Sequence, residues 1–330
     1  MSGEPTGGEP AMVEVDGLVR SFGEVRAVAG VSFAVPRGEM FGLIGPDGAG
    51  KTSTLRAILG LLRPDQGTVR TCGLEPIHDA RQLAHRVGYL AQRFSLYGDL
   101  TVDENVAFFA EVHGVRGFRP RRDELLDLLR MTRFRDRLAD RLSGGMKQKL
   151  ALACTLIHTP DLLILDEPTT GVDPVSRRDF WRILFRLQRD GMTLLLTTPY
   201  LDEAERCQRV ALMNAGRILT IASPRALRDE ARAVHGALLE LLARPKRLAQ
   251  DWLRARPEVQ DVETFGERFH VRIHGGATTE VAADLGRGLG SAGVEVLSVR
   301  AISPSLEDIF IDRVRGAETA GAAPPIGGSP

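Results

Sequence analysis

The sequence has few cysteines and a formal net charge of zero, and each of these features argues against certain classes of protein. Its 3 cysteines, Cys72, Cys154 and Cys207, are far apart, odd in number and never in a CxxC pair. This argues against a disulfide framework and against a cysteine zinc site, and it predicts a reducing compartment such as the cytosol. Lys+Arg and Asp+Glu both number 43, so the overall charge does not favour a nucleic acid or a bare membrane surface as partner.

Segments that enter a membrane are also lacking. The opening MSGEPTGGEP has neither the basic nor the apolar region of a signal peptide, and no run approaches the ~20 apolar residues that span a bilayer. We therefore expect a soluble chain that reaches a membrane only through a partner. With 330 residues, of which 43% are hydrophobic, the chain is long enough for roughly two globular domains.

Strand and helix patterns alternate over residues 11–234. Buried-strand runs such as EMFGLIG, LLILDEP and MTLLLTTP are separated by helical stretches such as KTSTLRAILGLL. This alternation predicts an α/β fold with a largely parallel sheet covered on both faces. The run VALMNAGRILTIA predicts an antiparallel hairpin at the sheet edge, turned at Asn214–Gly216. Residues from about 93 to 157 are mainly helical and predict an inserted helical subdomain.

The pattern changes after about residue 235. The order becomes strand, helix, strand, strand, helix, strand, which is typical of a ferredoxin-like module, here predicted over residues 235–315. Residues 1–10 and 316–330 are rich in Gly, Pro and Ala, so we expect both ends to be disordered.

The motif GPDGAGKT fits G-x-x-x-x-G-K-[ST] and stands between an apolar strand and a helix. Glycines at its tight points let backbone N–H groups converge on phosphate, the lysine reaches the β- and γ-phosphates, and the threonine hydroxyl ligates Mg²⁺. A chance Gly-rich turn is the alternative, and the strand–loop–helix setting argues against it. The predicted ATP-binding residues of the loop are Gly45, Pro46, Asp47, Gly48, Ala49, Gly50, Lys51, Thr52 and Ser53.

The run LLILDEP ends an apolar strand with two carboxylates. Asp166 at the sheet edge would hold Mg²⁺ through water, and Glu167 would act as the general base that polarises the attacking water. Such a run by itself is more often a strand meeting a loop. Because it follows the phosphate-binding loop by about 115 residues, it predicts ATP hydrolysis.

The segment LSGGMKQKLALA resembles the signature motif of ABC-type ATPases, with Met146 where glutamine is usual. A helix N-terminus of this kind is an anion site. The resemblance covers about residues 12–230 and implies a P-loop NTPase core of the ABC type, whose signature closes over ATP held by a second subunit. The implied trans signature consists of Leu142, Ser143, Gly144, Gly145 and Met146.

Further landmarks carry the same resemblance. Phe22 stands where an aromatic ring stacks on adenine, and Gln92 matches the glutamine that touches Mg²⁺ and water. Asp173 in GVDP lies in the D-loop that crosses the dimer interface. The segment SPSLEDIFID resembles the end of ATP-binding subunits that serve ABC-2-type exporters. This implies an energy-coupling subunit that drives a separate membrane permease. A soluble non-transport ABC protein and an ATP-gated structural partner remain alternatives.

Proline replaces the expected residue at one position of this pattern. Pro199 occupies the place where the family has a switch histidine that contacts the γ-phosphate. Proline has neither a side-chain donor nor a backbone N–H, and losing one preorganised donor typically slows a reaction by ~10²–10³. We expect poor hydrolysis at the chain's own site and a heterodimer with a histidine-bearing ATPase. The alternative is a slow homodimer in which Glu167 suffices.

The segment RFSLYGDL, directly after Gln92, carries Phe94, Leu96 and Tyr97. Exposed apolar side chains in such a loop would suit a groove that receives a cytoplasmic helix of the permease. Packing of the helical insert explains them equally well. The transported substrate is left open, because those contacts belong to the permease.

Overall fold

The computed structural model describes residues 10–92, 96–235, 238–273, 278–302 and 305–321. The chain forms two compact units, Met1–Ile221 and Ala222–Pro330. The elements of the first unit are β1 (Val13–Phe22), β2 (Val25–Val35), β3 (Met40–Ile44), α1 (Lys51–Ile58), β4 (Gln66–Thr71), α2 (Ala80–Arg86), β5 (Val87–Leu90), α3 (Val102–Val112), α4 (Arg119–Leu128), α5 (Gly144–Leu156), β6 (Leu162–Asp166), α6 (Pro174–Arg189), β7 (Thr193–Thr198), α7 (Leu201–Ala204), β8 (Arg209–Asn214) and β9 (Arg217–Ala222).

The main sheet has the strand order β5-β6-β7-β3-β8-β9. Strands β5, β6, β7, β3 and β8 run parallel to one another. Every residue of β3, β6 and β7 is buried, which explains their nearly unbroken apolar sequences. The sequence-based prediction of a largely parallel sheet is confirmed, and so is the hairpin, where Ala215 and Gly216 both have positive φ (46° and 76°).

A second, antiparallel sheet of order β2-β1-β4 completes the first unit. The sequence predicted the strand in AVAGVSFAV, which is part of β2, but did not predict that β2 pairs with β1 or that β1 also pairs with β4. Their apolar residues, among them Leu18, Val28 and Phe33, join one core with Phe41 and Leu43 of the main sheet.

The predicted helical insert consists of α3, α4 and α5, between β5 and β6. Thr101 caps α3 in a capping box with Glu104. The fully buried Asn105 side chain accepts a hydrogen bond from the Tyr97 N–H at 3.0 Å and donates to the Tyr97 carbonyl at 3.0 Å. Asn105 therefore fixes the loop that enters the insert.

The elements of the second unit are α8 (Pro224–His235), β10 (Leu238–Arg244), α9 (Lys246–Arg254), β11 (Val259–Phe265), β12 (Arg268–Ile273), α10 (Thr278–Ser291), β13 (Glu295–Ile302) and α11 (Leu306–Gly321). Its strands form a four-stranded antiparallel sheet of order β11-β12-β10-β13. With two helices in the order βαββαβ, this confirms the ferredoxin-like module. Helix α11 continues to Gly321, into the segment predicted to be disordered.

Candidate functional site

The loop predicted to bind phosphate, residues 45–52, joins the buried end of β3 to the start of α1 and is called the phosphate-binding loop below. Gly50 has φ +100°, and a Cβ there would lie 2.3 Å from the Ala27 carbonyl oxygen. A Cβ on Gly45 would lie 2.1 Å from the Met213 carbonyl oxygen. Both positions therefore need glycine because the neighbouring backbone comes too close for any side chain. Pro46, Asp47 and Gly48 are exposed at the tip of the loop.

Lys51, the first residue of α1, is 4% exposed. Its Nζ donates to the carbonyl oxygens of Gly45 at 2.8 Å and Pro46 at 3.0 Å. The same Nζ lies 3.2 Å from Oε1 of Glu167. The ammonium group is thus held inside the loop and paired with the predicted general base.

Asp166 ends β6 as a carboxylate only 3% exposed. Its Oδ1 accepts hydrogen bonds from the hydroxyls of Thr52 at 3.2 Å and Thr197 at 2.7 Å. Its Oδ2 accepts one from the Tyr89 hydroxyl at 3.4 Å. Burial, with a smaller contribution from the charge of Asp166, raises the pKa of Tyr89 to about 12, so this phenol stays a donor at neutral pH. Thr52 and Asp166 present hard oxygen donors, which fit Mg²⁺.

Glu167 follows with φ +48°, in the left-handed region that non-glycine residues rarely adopt. Its N–H donates to Oγ1 of Thr197 at 3.0 Å and to the Thr197 carbonyl at 3.1 Å. The Gln92 amide donates to Oε2 of Glu167 at 2.9 Å. The structure therefore brings five predicted residues into one cluster: Lys51, Thr52, Gln92, Asp166 and Glu167.

Pro199 comes directly after β7, beside this cluster. The Thr198 carbonyl accepts a hydrogen bond from the Gly45 N–H at 3.4 Å, which places the strand end against the phosphate-binding loop. The following Tyr200 ring lies under the Arg177 guanidinium, 4.8 Å from its carbon to the ring centroid. Pro199 is half-buried and contributes no hydrogen-bond donor at this position.

The signature residues lie at the N-terminus of α5, where Ser143 is the N-cap. A Cβ on Gly145 would lie 2.3 Å from Oγ of Ser176, so the signature packs closely against the start of α6. Asp173 caps α6 by accepting the N–H groups of Val175 at 3.1 Å and Ser176 at 2.9 Å. Hydrogen bonds from Ser176 lower the pKa of Asp173. Signature and D-loop are thus neighbours. Among the hydrogen bonds and ion pairs described, neither is joined to the Lys51 cluster.

Phe22 ends β1 and is 47% exposed, with the Arg20 guanidinium carbon 5.0 Å from its ring centroid. The β1–β2 hairpin that carries Phe22 also carries Ala27, which touches Gly50 of the phosphate-binding loop. The accessible Phe22 ring therefore belongs to a hairpin that flanks the phosphate-binding loop. Among the described contacts, this ring has none with the Lys51 cluster.

The sequence did not point to two polar residues that bond the cluster, or to a buried carboxylate outside it. Thr197 and Tyr89 both bond Asp166, as described above. Glu203 is fully buried and accepts hydrogen bonds from the hydroxyls of Thr169 and Thr198 and, at 3.3 Å, from the Trp181 indole. The only available signal was the pair of threonines that ends an otherwise apolar strand.

An apolar cavity of about 330 Å³ lies between α1, α2, α3 and α5. Its lining includes Leu61, Phe109, Cys154 and a pair of histidines, His113 and His158. Two apolar side chains are strongly exposed in this region: Leu61 by 67% and Val112, at the end of α3, by 63%.

The loop after Gln92 is described from Leu96 onward, and Phe94 lies outside the described residues. Tyr97 makes an edge contact with Phe108 of α3, with ring centroids 4.6 Å apart. None of the helices in the described ranges is long and apolar enough to cross a bilayer.

Comparisons with known families and proteins give a consistent result. The ABC transporter family profile matches residues 28–170, and that of the DrrA1-3-like ATP-binding protein C-terminal domain matches residues 230–314. The probable multidrug ABC transporter ATP-binding protein YbhF of Escherichia coli (strain K12) is 38% identical over 314 residues, covering 94% of this chain and 53% of that protein. The chain thus spans about half the length of this relative.

Other relatives are covered more fully. The Nod factor export ATP-binding protein I of Rhizobium sp. (strain N33) is 37% identical over 311 residues, covering 93% of this chain and 97% of that protein. A solved structure of the ATP-binding subunit of an ABC transporter superposes with a TM-score of 0.61 at 29% identity, covering 66% of this chain and 92% of the other. The cassette MJ0796, a dimer bound to ADP and Pi in a post-hydrolysis state, superposes with a TM-score of 0.58 at 26% identity, covering 64% and 98% of the two chains.

Proposed function

The chain belongs to the ABC transporter family, and from this premise we propose that it is the ATP-binding, energy-coupling subunit of an export system, driving a separate membrane permease. The cluster of Lys51, Thr52, Gln92, Asp166 and Glu167 carries the proposal, because it joins a phosphate-binding lysine to two carboxylates and their hydrogen-bond donors. A relative that aligns over 93% of this chain is named a Nod factor export ATP-binding protein, which supports export over a soluble non-transport role.

ATP is the proposed substrate, with Mg²⁺ held by Thr52 and Asp166 and assisted by Gln92. When bound, the ion would neutralise charge on the β- and γ-phosphates. Lys51 would exchange its ion pair with Glu167 for phosphate oxygens. That exchange would free the Glu167 carboxylate to accept a proton from the attacking water. The Gln92 amide, which donates to Oε2 of Glu167, would orient this carboxylate.

A second ATPase chain would complete the site. The N-terminus of α5, where Ser143 and Gly144 are exposed, is suited to a γ-phosphate held by the partner, and the adjacent Asp173 would lie at the same interface. A related cassette is known as a dimer bound to ADP and Pi. Close packing of Gly145 on Ser176 would let signature and D-loop move together.

Pro199 leads us to propose that this partner is a different, histidine-bearing chain. The end of β7 lies against Gly45, so a histidine at position 199 would stand beside the phosphate-binding loop, whereas proline offers no donor there. The chain's own site would bind Mg-ATP and hydrolyse it slowly, while its signature would serve the partner's site. A homodimer that relies on Glu167, and an ATP-gated partner without useful turnover, are the competing outcomes.

The permease would dock at the apolar cavity between the helical insert and the core. Exposed Leu61 and Val112 beside this cavity suit a helix with an apolar face, and Tyr97 and Phe108 extend the aromatic surface nearby. The chain would then lie at the inner face of the cell membrane. The names of its relatives give a multidrug ABC transporter and Nod factor export, and we propose export as the direction here.

Calorimetric titration of ATP with Mg²⁺ tests the central claim. We expect binding by the unmodified chain, loss of binding in Lys51→Ala, and normal binding in Lys246→Ala, a lysine of the second unit. No heat with the unmodified chain would refute the proposal.

For Pro199, we expect Pro199→His to raise the turnover of the purified chain by ~10²–10³ and Glu167→Gln to abolish that gain. Unchanged turnover in Pro199→His would remove the argument for a heterodimer.

A further inference from the structure

Thr197 serves both carboxylate residues of the site with a single hydroxyl. The residue is fully buried near the end of β7. Its Oγ1 donates to Oδ1 of Asp166 at 2.7 Å and accepts the Glu167 N–H at 3.0 Å. A hydroxyl has one proton and two acceptor lone pairs, so both bonds form at once.

Both partners depend on this hydroxyl. Asp166 is a nearly buried carboxylate, and its other hydrogen bonds, from Thr52 at 3.2 Å and Tyr89 at 3.4 Å, are longer. Glu167 has an unfavourable φ of +48°, which the surrounding structure must hold. The Thr197 hydroxyl and carbonyl receive the Glu167 N–H and thereby fix this backbone.

The neighbouring threonine provides a comparison within the same strand. Thr198 is 1% exposed and its hydroxyl is also bonded, but its partners are Oε2 of Glu203 at 2.8 Å and the Tyr200 N–H at 3.1 Å. Successive side chains of a strand point to opposite faces, which explains the division. Thr197 faces Asp166 and Glu167, and Thr198 faces Glu203 on the other side of the strand.

We propose that Thr197 is a positioning residue for the Mg-ATP site: its proton holds the Asp166 carboxylate in one orientation, and its lone pair holds the Glu167 backbone. This inference rests on the proposed function as an ATP-binding subunit. Partners that orient a metal-binding group typically contribute 10–100-fold in metal affinity or activity. Because Thr197 touches neither the nucleotide-binding lysine nor the tip of the loop, its effect should be confined to the magnesium-dependent part of ATP binding.

The test compares ATP binding by the full chain with and without Mg²⁺, using calorimetry. Thr197→Val keeps the shape of the side chain and removes the hydroxyl. We expect this variant to bind metal-free ATP as the unmodified chain does and to lose ~10–100-fold of the magnesium-dependent gain in affinity. Thr197→Ser should retain most of the gain, and Thr198→Val should retain it fully.

The outcomes separate the inference from the proposed function. Normal Mg-ATP binding by Thr197→Val, or an equal loss in Thr198→Val, would overturn the role of Thr197 while ATP binding itself stands. Failure of the unmodified chain to bind ATP would overturn both. If circular dichroism shows that Thr197→Val does not fold, Thr197→Cys replaces it, because a thiol is a weak hydrogen-bond donor. We expect Thr197→Cys to lose the same magnesium-dependent part of the affinity. Unimpaired Mg-ATP binding by this variant would contradict the role of Thr197.

Discussion

We expect a pair of stacked histidines, His113 and His158, to make the stability of the first unit depend on pH. The rings of His113 and His158 lie parallel, with centroids 3.9 Å apart. Nε2 of His158 lies 3.2 Å from the Val87 carbonyl, to which it donates, while the buried Nδ1 has no partner among the described residues. Protonation would therefore place a second N–H where nothing described accepts it. Burial, reinforced by the nearby His113, lowers the pKa of His158 to about 4.

The sign and size of the effect follow from this pKa. The folded pKa lies below the ordinary value of 6.5, so the stabilisation from neutral His158 is complete above that value. It is lost as the pH falls from about 6.5 toward about 4, because the unfolded chain binds the proton first. At about pH 5 a fully buried ring would cost ~2 kcal/mol. Because His158 is only partly buried, solvent screening reduces this to ~1 kcal/mol.

Denaturant unfolding at neutral and mildly acidic pH measures this loss. The chain has 2 tryptophans, and in a Trp252→Phe background Trp181 alone reports on the first unit. Between about pH 7 and about pH 5, we expect the free energy of unfolding of the first unit to fall by ~1 kcal/mol more in the unmodified chain than in His158→Gln. His78→Gln, at an exposed histidine, is the matched control and should keep the full pH dependence. Equal pH dependence with and without His158 would refute the reasoning.

Two further predictions concern packing and charge. Gly145→Ala should destabilise the first unit by ~1–3 kcal/mol in denaturant unfolding, because the new Cβ would lie 2.3 Å from Oγ of Ser176; Gly144→Ala, which meets nothing within 4 Å, should be neutral or slightly stabilising, and equal losses would contradict this account. In the second unit, Asp308→Asn should lower the free energy of unfolding by ~1–3 kcal/mol at neutral pH in the same assay. Burial alone would raise the pKa of Asp308, but hydrogen bonds, chiefly from His270, lower this pKa. The loss of stability in Asp308→Asn should therefore fade below about pH 4, and a loss that does not depend on pH would contradict this account.

Much of the site could be predicted because its chemistry lies in short segments. The glycines at 45 and 50 and the lysine at 51 stand within a few residues of each other, and a strand ending in Asp166–Glu167 is readable as a local pattern. The helical insert and the hairpin at Asn214–Gly216 were predicted for the same reason: each depends on periodicity or turn residues within one stretch of chain.

Contacts between distant segments were not predictable in this way. The sheet of β1, β2 and β4 was missed because an alternating strand does not specify its partners. His113 and His158 stack although they lie far apart in the sequence, in the turns that follow α3 and α5. The sequence offers no hint that Glu203 is fully buried beneath Thr169 and Thr198.

By itself the sequence determined which chemical groups are available: a lysine and glycines for phosphate, two carboxylates at a strand end, and a proline where a donor is expected. The tertiary structure decided how they are held, including the Lys51–Glu167 ion pair, the Thr197 hydroxyl between Asp166 and Glu167, and Gly145 against Ser176. The physical reason is that hydrogen bonds and close packing depend on ångström-scale alignment of strands and helices. That alignment is set by the whole core and not by any local run of residues.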